Sequence, residues 1–373
     1  MNVLFLLGDS SLKGGTERST IEIANNLAYN KDNRVFILSI YRSAKEDNQS
    51  FAIEKEVIQA SLYDNHPITK NFFFKALFYL RTIYKLLFFL KRNKINLLIS
   101  VEVISVIFTY PTIILIRFFG SIKYVVWEHF NFTVNLGLKL RDFCRKIAAK
   151  SADAIITLTD RDKRMWSENL FVKGKIISIP NSSPFEVTNT LYNSESKKII
   201  AIGRLVPQKG FDLLIDVWKY LYDNYIIDEE WILQIIGDGP DSQELSQKIK
   251  NYNLQDKIIL VPANNQIDRF YTNASFLCMT SRFEGLPMTL IEAKSFGLPI
   301  VSYNCITGPE EIISEESGFL VEMNDFKSFA EKVYCLMNNS KLRFNMSNSS
   351  KKEVMRFSAE EVLLKWENLL KEI

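Results

Sequence analysis

The sequence predicts an α/β protein built from two doubly wound parallel-sheet domains that face a cleft. Three observations carry that prediction. The chain has 373 residues, enough for two or three domains at roughly 100–200 residues each, every one able to bury its own core. Short apolar runs alternate with longer amphipathic stretches throughout, the pattern of parallel strands joined by crossover helices. A turn-rich stretch, Pro180-Asn181-Ser182-Ser183-Pro184 and the Asn/Ser-rich run up to Lys198, splits those runs into two series.

The first series contains Val3–Leu7, Val35–Ile40, Leu97–Val101, Tyr124–Trp127, Ala154–Leu158 and Ile176–Ile179. Between its second and third strands lies Asn71–Lys94, where Phe72, Phe73, Phe74, Phe78, Tyr79, Tyr84, Phe88 and Phe89 are mixed with Lys75, Arg81, Lys85, Arg92 and Lys94. At about 100° per residue, Arg81, Lys85 and Arg92 share one helical face. A basic, aromatic helix of this kind suits a bilayer interface, with its rings in the acyl boundary and its cations near anionic headgroups; it also suits a core helix with snorkelling cations. The following stretch, Ile95–Phe119, is apolar but interrupted by Glu102, Pro111 and Arg117. Ionisable groups are costly within a span, so a strand and a buried helix are expected there.

The second series contains Ile199–Ile202, Ile232–Ile236, Ile258–Val261, Phe276–Met279, Ile300–Tyr303 and Phe319–Val321. The closing run Ala359–Ile373, with Leu363, Leu364, Trp366, Leu369 and Leu370, reads as an amphipathic helix. The expected divisions are a domain over 1–180, a second over 181–357 and a terminal helix over 358–373.

Composition narrows the functional classes. Hydrophobic residues at 47% and charged residues at 24% are ordinary globular values, which exclude a mainly disordered or collagen-like chain. The net charge is +3, but residues 1–180 hold 26 basic and 16 acidic side chains while the remainder holds 20 and 27. A basic first half points to phosphates, of a nucleic acid or of an anionic lipid; no nucleic-acid motif accompanies it, and nucleic acid is not expected as a partner. From Lys70 to Lys123 nine basic residues meet one acid, Glu102. Cys144, Cys278, Cys305 and Cys335 lie far apart, so neither a zinc site nor a disulfide framework is indicated, as in a reducing cytoplasm. The opening residues lack the basic flank of a signal peptide, and no secretion signal is expected.

Four stretches can carry chemistry. Gly8 to Arg18 follows the first strand and contains Gly14-Gly15 before a helical pattern; such a turn lets backbone amides approach an anion, or serves only to reverse the chain. Gly203-Arg204 through Lys209-Gly210 places two cations after a strand, where they can clamp a diphosphate and offset charge growing on a leaving group. Gly237-Asp238-Gly239-Pro240 follows another strand and shapes either a nucleoside pocket or a plain turn. Finally, Ser281 to Ala293 holds Glu284 in a loop and Glu292 about two turns into the next helix, with amides at the helix start between them. Carboxylates accept bonds from sugar hydroxyls while such amides hold phosphate. Asp160-Arg161-Asp162 has a metal-site form but reads better as a helix N-terminus.

The order of these segments, with Glu128-His129, resembles glycosyltransferase family 4, retaining transferases of the GT-B fold, in which two Rossmann-like domains face a cleft. The resemblance spans nearly the whole chain. The run Cys305-Ile306-Thr307-Gly308-Pro309-Glu310-Glu311-Ile312-Ile313 is similar to members that build bacterial lipid-linked or surface glycans. The family implies that Gly15 approaches the donor phosphate, that Arg204 and Lys209 bind the diphosphate, and that Glu284 holds donor-sugar hydroxyls. It further implies that Glu292 binds the ribose, that the Met288 and Thr289 amides add phosphate contacts, and that Gly203, Gly239, Gly285 and Leu286 complete the donor site. Pro287 has no N–H, so a member using an amide there differs from this chain. His129 would sit at the reacting sugar; the only other histidine, His66, is left unassigned. The implied reaction is front-face displacement with retention, without a metal or other cofactor. Its implied donor is a UDP-sugar rather than GDP-mannose, and its implied acceptor a lipid-linked glycan at the cytoplasmic face of the inner membrane. In the family, a terminal helix crosses back to the first domain. A nucleotide-sugar epimerase, a silent sugar-nucleotide-binding scaffold, a nucleic-acid binder and a GDP-mannose-dependent mannosyltransferase of the same fold are the alternatives. The first lacks a visible acid/base set, and intact Glu284, Arg204, Lys209 and His129 argue against the second.

Overall fold

A computed structural model describes residues 1–12, 14–42, 51–65, 71–118, 120–188 and 191–373. Lys13, His66, Lys70 and Phe119 lie outside the described residues. The chain divides into two compact units, one of Met1–Asn181 with Val362–Ile373 and one of Ser182–Glu361.

The first unit runs β1 (Asn2–Leu7), α1 (Gly15–Ala28), β2 (Arg34–Tyr41), β3 (Ile58–Tyr63), α2 (Phe72–Arg92), β4 (Leu97–Val101), α3 (Val106–Arg117), β5 (Lys123–Trp127), α4 (Lys139–Ser151), β6 (Ala154–Thr157), α5 (Asp160–Asn169) and β7 (Lys175–Ser178). Its seven strands pair in parallel in the order β3-β2-β1-β4-β5-β6-β7. The six strands read from the sequence are present, each within one residue at either end. A seventh, β3, was not expected. It is an edge strand, Ile-Gln-Ala-Ser-Leu-Tyr, with no fully buried residue, so it lacks the continuous apolar run that marks a strand covered on both faces.

Side chains alternate across a strand. Leu4, Leu6, Leu98, Tyr124 and Val126 pack on one face with Leu86 and Leu90 of α2, Val106 and Ile113 of α3, Cys144 and Ala148 of α4, and Trp166 of α5. Phe5 and Trp127 contact Trp366 instead. Local chemistry fixes the helix starts: Asn71 accepts the Phe73 amide ahead of α2, and Thr159 accepts the Asp162 amide ahead of α5. The apolar stretch after β4 folds into the twelve-residue α3, and among the described residues no helix is long and apolar enough to cross a membrane.

The second unit runs β8 (Lys198–Ile202), α6 (Phe211–Asn224), β9 (Ile232–Ile236), α7 (Ser242–Asn251), β10 (Ile258–Val261), α8 (Ile267–Asn273), β11 (Phe276–Met279), α9 (Met288–Ser295), β12 (Ile300–Tyr303), α10 (Pro309–Ile312), β13 (Gly318–Val321), α11 (Phe326–Asn338) and α12 (Ser340–Glu353). Its parallel sheet has the order β10-β9-β8-β11-β12-β13, and all six strands agree with the sequence reading to within one residue. Order reverses beside β8, the switch point at which open α/β sheets bind ligands beyond the strand ends. The turn-rich stretch before β8 is not slack: Asn181, Ser182 and Ser183 are buried, and Ser183 bonds the Phe357 carbonyl and the Ser295 hydroxyl. The last helix, α13 (Ala359–Glu372), carries Trp366 against Phe5 and Trp127.

Candidate active site

In the second unit the loops after β8 and β11 are joined. Lys209 Nζ donates to Glu284 Oε1 at 2.7 Å, and both side chains are largely withdrawn from solvent. Gln208 Nε2 donates to the Phe283 carbonyl at 3.0 Å, and the Arg282 amide donates to the Gln208 carbonyl at 2.8 Å. Arg282 clasps Asp212 with two bonds of 2.8 and 2.6 Å, the planar fork geometry that fixes orientation as well as charge. Gly210 has φ +64°, and a Cβ there would lie 2.1 Å from the Thr280 carbonyl oxygen. That position needs glycine for both reasons. Gly239 likewise lets the loop after β9 approach, since a Cβ there would lie 2.2 Å from the Leu205 carbonyl oxygen.

Glu284 is held from behind as well, because Thr307 Oγ1 donates to its carbonyl at 2.7 Å while Thr307 itself sits at φ +62°. A β-branched residue in that region is a steric outlier maintained by its surroundings. Burial, with the Glu284 carboxylate beside it, pushes the Cys305 thiol up to about 12, so it is no nucleophile at neutral pH. The Arg204 side chain is exposed and has no partner among the described residues, while its carbonyl accepts the Val206 amide at 2.8 Å.

The helix α9 begins at Met288, with Pro287 as its cap residue. The amides of Met288 and Thr289 belong to its first turn, where a helix offers donors without internal acceptors. Glu292 lies in the second turn, closer to the start than the two full turns read from the sequence. The residue is 8% exposed, and its carboxylate accepts from Tyr271 Oη at 2.7 Å. Tyr271 stacks on Phe296 at 5.2 Å and meets Phe185 edge-on. Gly203, Gly239, Gly285, Leu286, Arg204, Lys209, Glu284 and Glu292 thus belong to loops and a helix start at the carboxyl ends of β8, β9 and β11.

The first unit holds His129, just past β5. It is 8% exposed, packs on Trp127 with ring centroids 4.4 Å apart, and its Nε2 has no partner among the described residues. Burial holds its pKa down to about 3, so the imidazole is neutral at physiological pH and can donate or accept one bond. Its neighbour Glu128 is fully buried; Arg145 Nε donates to it at 3.3 Å and the Phe130 amide at 3.2 Å. Arg145 also donates to the carbonyls of Asn131 and Val134, at 3.2 and 2.7 Å, and to Asp142 at 3.0 Å. One buried guanidinium therefore pins the whole segment that follows His129.

Gly15 opens α1 and has open space where a Cβ would project. A cavity of about 300 Å³ lies beside it, lined by Asp9, Thr16, Glu17, Glu102 and Phe108 among others. Glu102, at φ +60°, ends β4 and is held by Arg141 Nη2 at 2.7 Å. Burial raises the Glu17 pKa, aided by Glu102 and Asp9. Three carboxylates beside the Gly14-Gly15 turn make this cavity suited to hydroxyl groups. Asp162 is buried and accepts the Phe132 amide at 2.6 Å, so Asp160-Arg161-Asp162 is a helix start. Among the described residues no group of His, Cys, Asp and Glu is placed to hold a metal ion.

Sequence reasoning missed Tyr271, Thr307, Arg145 and Glu102. Glu102 left a trace as the lone acid in an apolar, basic stretch, and Thr307 as a member of the run Cys305 to Ile313, without a role.

Two parallel-sheet domains, one with cations, carboxylates and a helix start beyond its strand ends, form an arrangement suited to a phosphorylated, hydroxyl-rich ligand. The first half, residues 13–182, matches the model of Glycosyltransferase Family 4, and residues 184–353 match that of Glycosyl transferases group 1. An uncharacterized glycosyltransferase of Haemophilus influenzae is 30% identical over 98% of this chain and 99% of its own length. The chain belongs to glycosyltransferase family 4. A Campylobacter jejuni enzyme that adds an α-1,4-N-acetylgalactosaminyl group to a diphosphoundecaprenol-linked glycan is 25% identical over 100% of this chain and 99% of its own. The crystal structure of Anabaena HepE with UDP superposes with a TM-score of 0.80 at 16% identity, covering all of both chains, and supports the fold.

Proposed function

We propose that this glycosyltransferase moves a hexose or N-acetylhexosamine from a UDP-sugar to a hydroxyl of a lipid-linked oligosaccharide, with configuration retained, in the synthesis of a bacterial surface polysaccharide. The observation that carries the donor half is the Lys209–Glu284 pair at the end of β8 and β11, with Glu292 buried in α9 close by in sequence. Lys209, Arg204 and the first-turn amides of α9 supply positive potential for a diphosphate whose charge grows as it leaves, so this reading assigns the diphosphate no metal ion. Glu284 and Glu292 are acceptors for sugar and ribose hydroxyls. Neutral His129 offers Nε2 to a hydroxyl of the reacting sugar. The acceptor hydroxyl attacks the anomeric carbon on the side from which the diphosphate departs; the C–O bond to the diphosphate breaks as the new glycosidic bond forms, and the acceptor proton passes to the departing phosphate.

The acceptor half rests on the Campylobacter relative and on α2. Phe72, Phe73, Phe74 and Tyr84 of that helix are exposed, as are Lys75, Arg81 and Arg92, a composition suited to an anionic leaflet. Lys85 is partly engaged, donating to the Leu62 carbonyl at 2.6 Å over the Tyr63 ring. We place the protein at the cytoplasmic face of the inner membrane.

Thermal-shift binding of UDP, GDP, ADP and their sugar conjugates tests the donor site, with Glu292→Ala and Arg204→Ala as controls. Stabilisation by uridine nucleotides that both variants lose supports the reading. Stabilisation by GDP alone replaces it with a mannosyl donor, and no stabilisation at millimolar nucleotide refutes it.

A further inference from the structure

The exposed apolar surface does not end at α2. Helices α2, α3 and α4 cover the same face of the first sheet, α2 meets α3 through Tyr79 and Phe108, and Phe118 beyond α3 is 78% exposed. At the start of α4, Leu136, Leu138, Leu140 and Phe143 stand 49, 55, 44 and 58% exposed. Four large apolar side chains within eight residues form a cluster of the kind that marks an interaction site rather than scattered surface hydrophobics.

Their backbone is braced. Arg145, 1% exposed, ties the Asn131 and Val134 carbonyls and Asp142 together. The Leu138 amide donates to the Asn135 carbonyl, and the Gly137 amide to Asn135 Oδ1. A rigid segment keeps its leucines outward, whereas a slack one would fold them onto the protein. Charge identifies the occupant. Lys139, Lys146 and Lys150 are exposed around the cluster, and the segment's one acid, Asp142, is bonded to Arg145. Apolar groups ringed by ammonium groups match an acyl boundary beneath anionic headgroups.

We propose that residues 136–143 are a second membrane anchor, inserting Leu138 and Phe143 into an anionic leaflet alongside α2. The proposal extends the membrane reading of α2 and rests on it. It places lipid contact within fifteen residues of His129, so the same braced segment joins the candidate catalytic imidazole to the bilayer.

The test uses the full chain and vesicles of phosphatidylcholine with or without phosphatidylglycerol. Leu138→Ser with Phe143→Ser is expected to weaken sedimentation with anionic vesicles about tenfold, for two partly inserted side chains, with an unchanged melting temperature. Should that variant fold poorly, a Leu138→Cys chain carrying an environment-sensitive dye gives the answer: its emission is expected to shift to the blue on anionic vesicles and resist iodide quenching. Unchanged sedimentation, or a dye that iodide still quenches, overturns the second anchor. If Phe73→Asp with Phe74→Asp abolishes sedimentation in that case, the α2 reading survives alone; if it too changes nothing, both fall. A chain that dimerises in solution, and becomes monomeric on Leu138→Ser with Phe143→Ser, also overturns the proposal, because a second copy then covers the cluster.

Discussion

Neutral, buried His129 makes a pH-dependent contribution to stability whose sign and size follow from its surroundings. Its pKa is held down to about 3 by burial, against about 6.5 in an unfolded chain. Protonation therefore favours the unfolded state. The contribution is fully present above pH 6.5 and is lost as pH falls from there toward 3. At pH 5 the unfolded chain takes up the proton and the folded one does not, which costs about 2 kcal/mol relative to pH 7.5. The assay is a urea titration at both pH values, on the native chain and on His129→Gln, which cannot titrate. Burial raises the neighbouring Glu128 carboxyl to about 7, so its protonation stabilises the fold as pH falls through that value; it is present in both proteins, and the difference between the two pH losses isolates the histidine. The native chain should lose about 2 kcal/mol more than the variant. Equal losses would refute the argument and place a charged, solvated imidazole at that position. A matching kinetic consequence is that no inflection near pH 6.5 in kcat/KM arises from His129.

Two further outcomes follow from single side chains. Tyr271→Phe removes the hydroxyl that holds Glu292; nucleotide affinity should fall about tenfold, in the range of a hydrogen bond to a charged group, while 2′-deoxynucleotides bind the native and variant proteins alike. Isothermal calorimetry with both nucleotides checks it, and an equal loss for both would detach Tyr271 from ribose binding. Arg145→Met leaves the buried Glu128, whose carboxyl burial raises to about 7, without its ion-pair partner, and well above that pH the first unit should lose about 3–5 kcal/mol; a chemical-denaturation midpoint unmoved there would show that the network carries little.

Much of this molecule was legible before its coordinates. Twelve strands came from apolar runs because most are covered on both faces, which forces continuous Val, Ile and Leu. The edge strand β3 escaped because its exposed pattern mixes Gln and Ser with Leu and Tyr, and local composition alone does not separate that from loop. Arg204, Lys209, Glu284 and Glu292 were legible as residues that follow strands. Tyr271 was not, since it lies twenty-one residues before Glu292 and only the turn of α8 toward α9 brings them together. Thr307 was hidden for a different reason: its hydroxyl bonds the backbone carbonyl of Glu284, twenty-three residues away, and a carbonyl acceptor leaves no mark in the residue pattern. Glu102 was read as an interruption of an apolar run, and its place at the end of β4, with a strained backbone and a buried arginine partner, appears only when the strand is built.

The final helix has a consequence for how the chain is made. Residues 182–361 form one unbroken unit, whereas the first unit needs residues 362–373 as well. Phe5 and Trp127 wait for Trp366, which is synthesised only after the whole of the second unit. Domains usually fold in the order of their synthesis; here the half that starts first is completed only after the second has been made. Until the last turns of α13 emerge, one face of the first sheet lacks an indole, and a stalled or shortened chain presents that gap to chaperones and proteases.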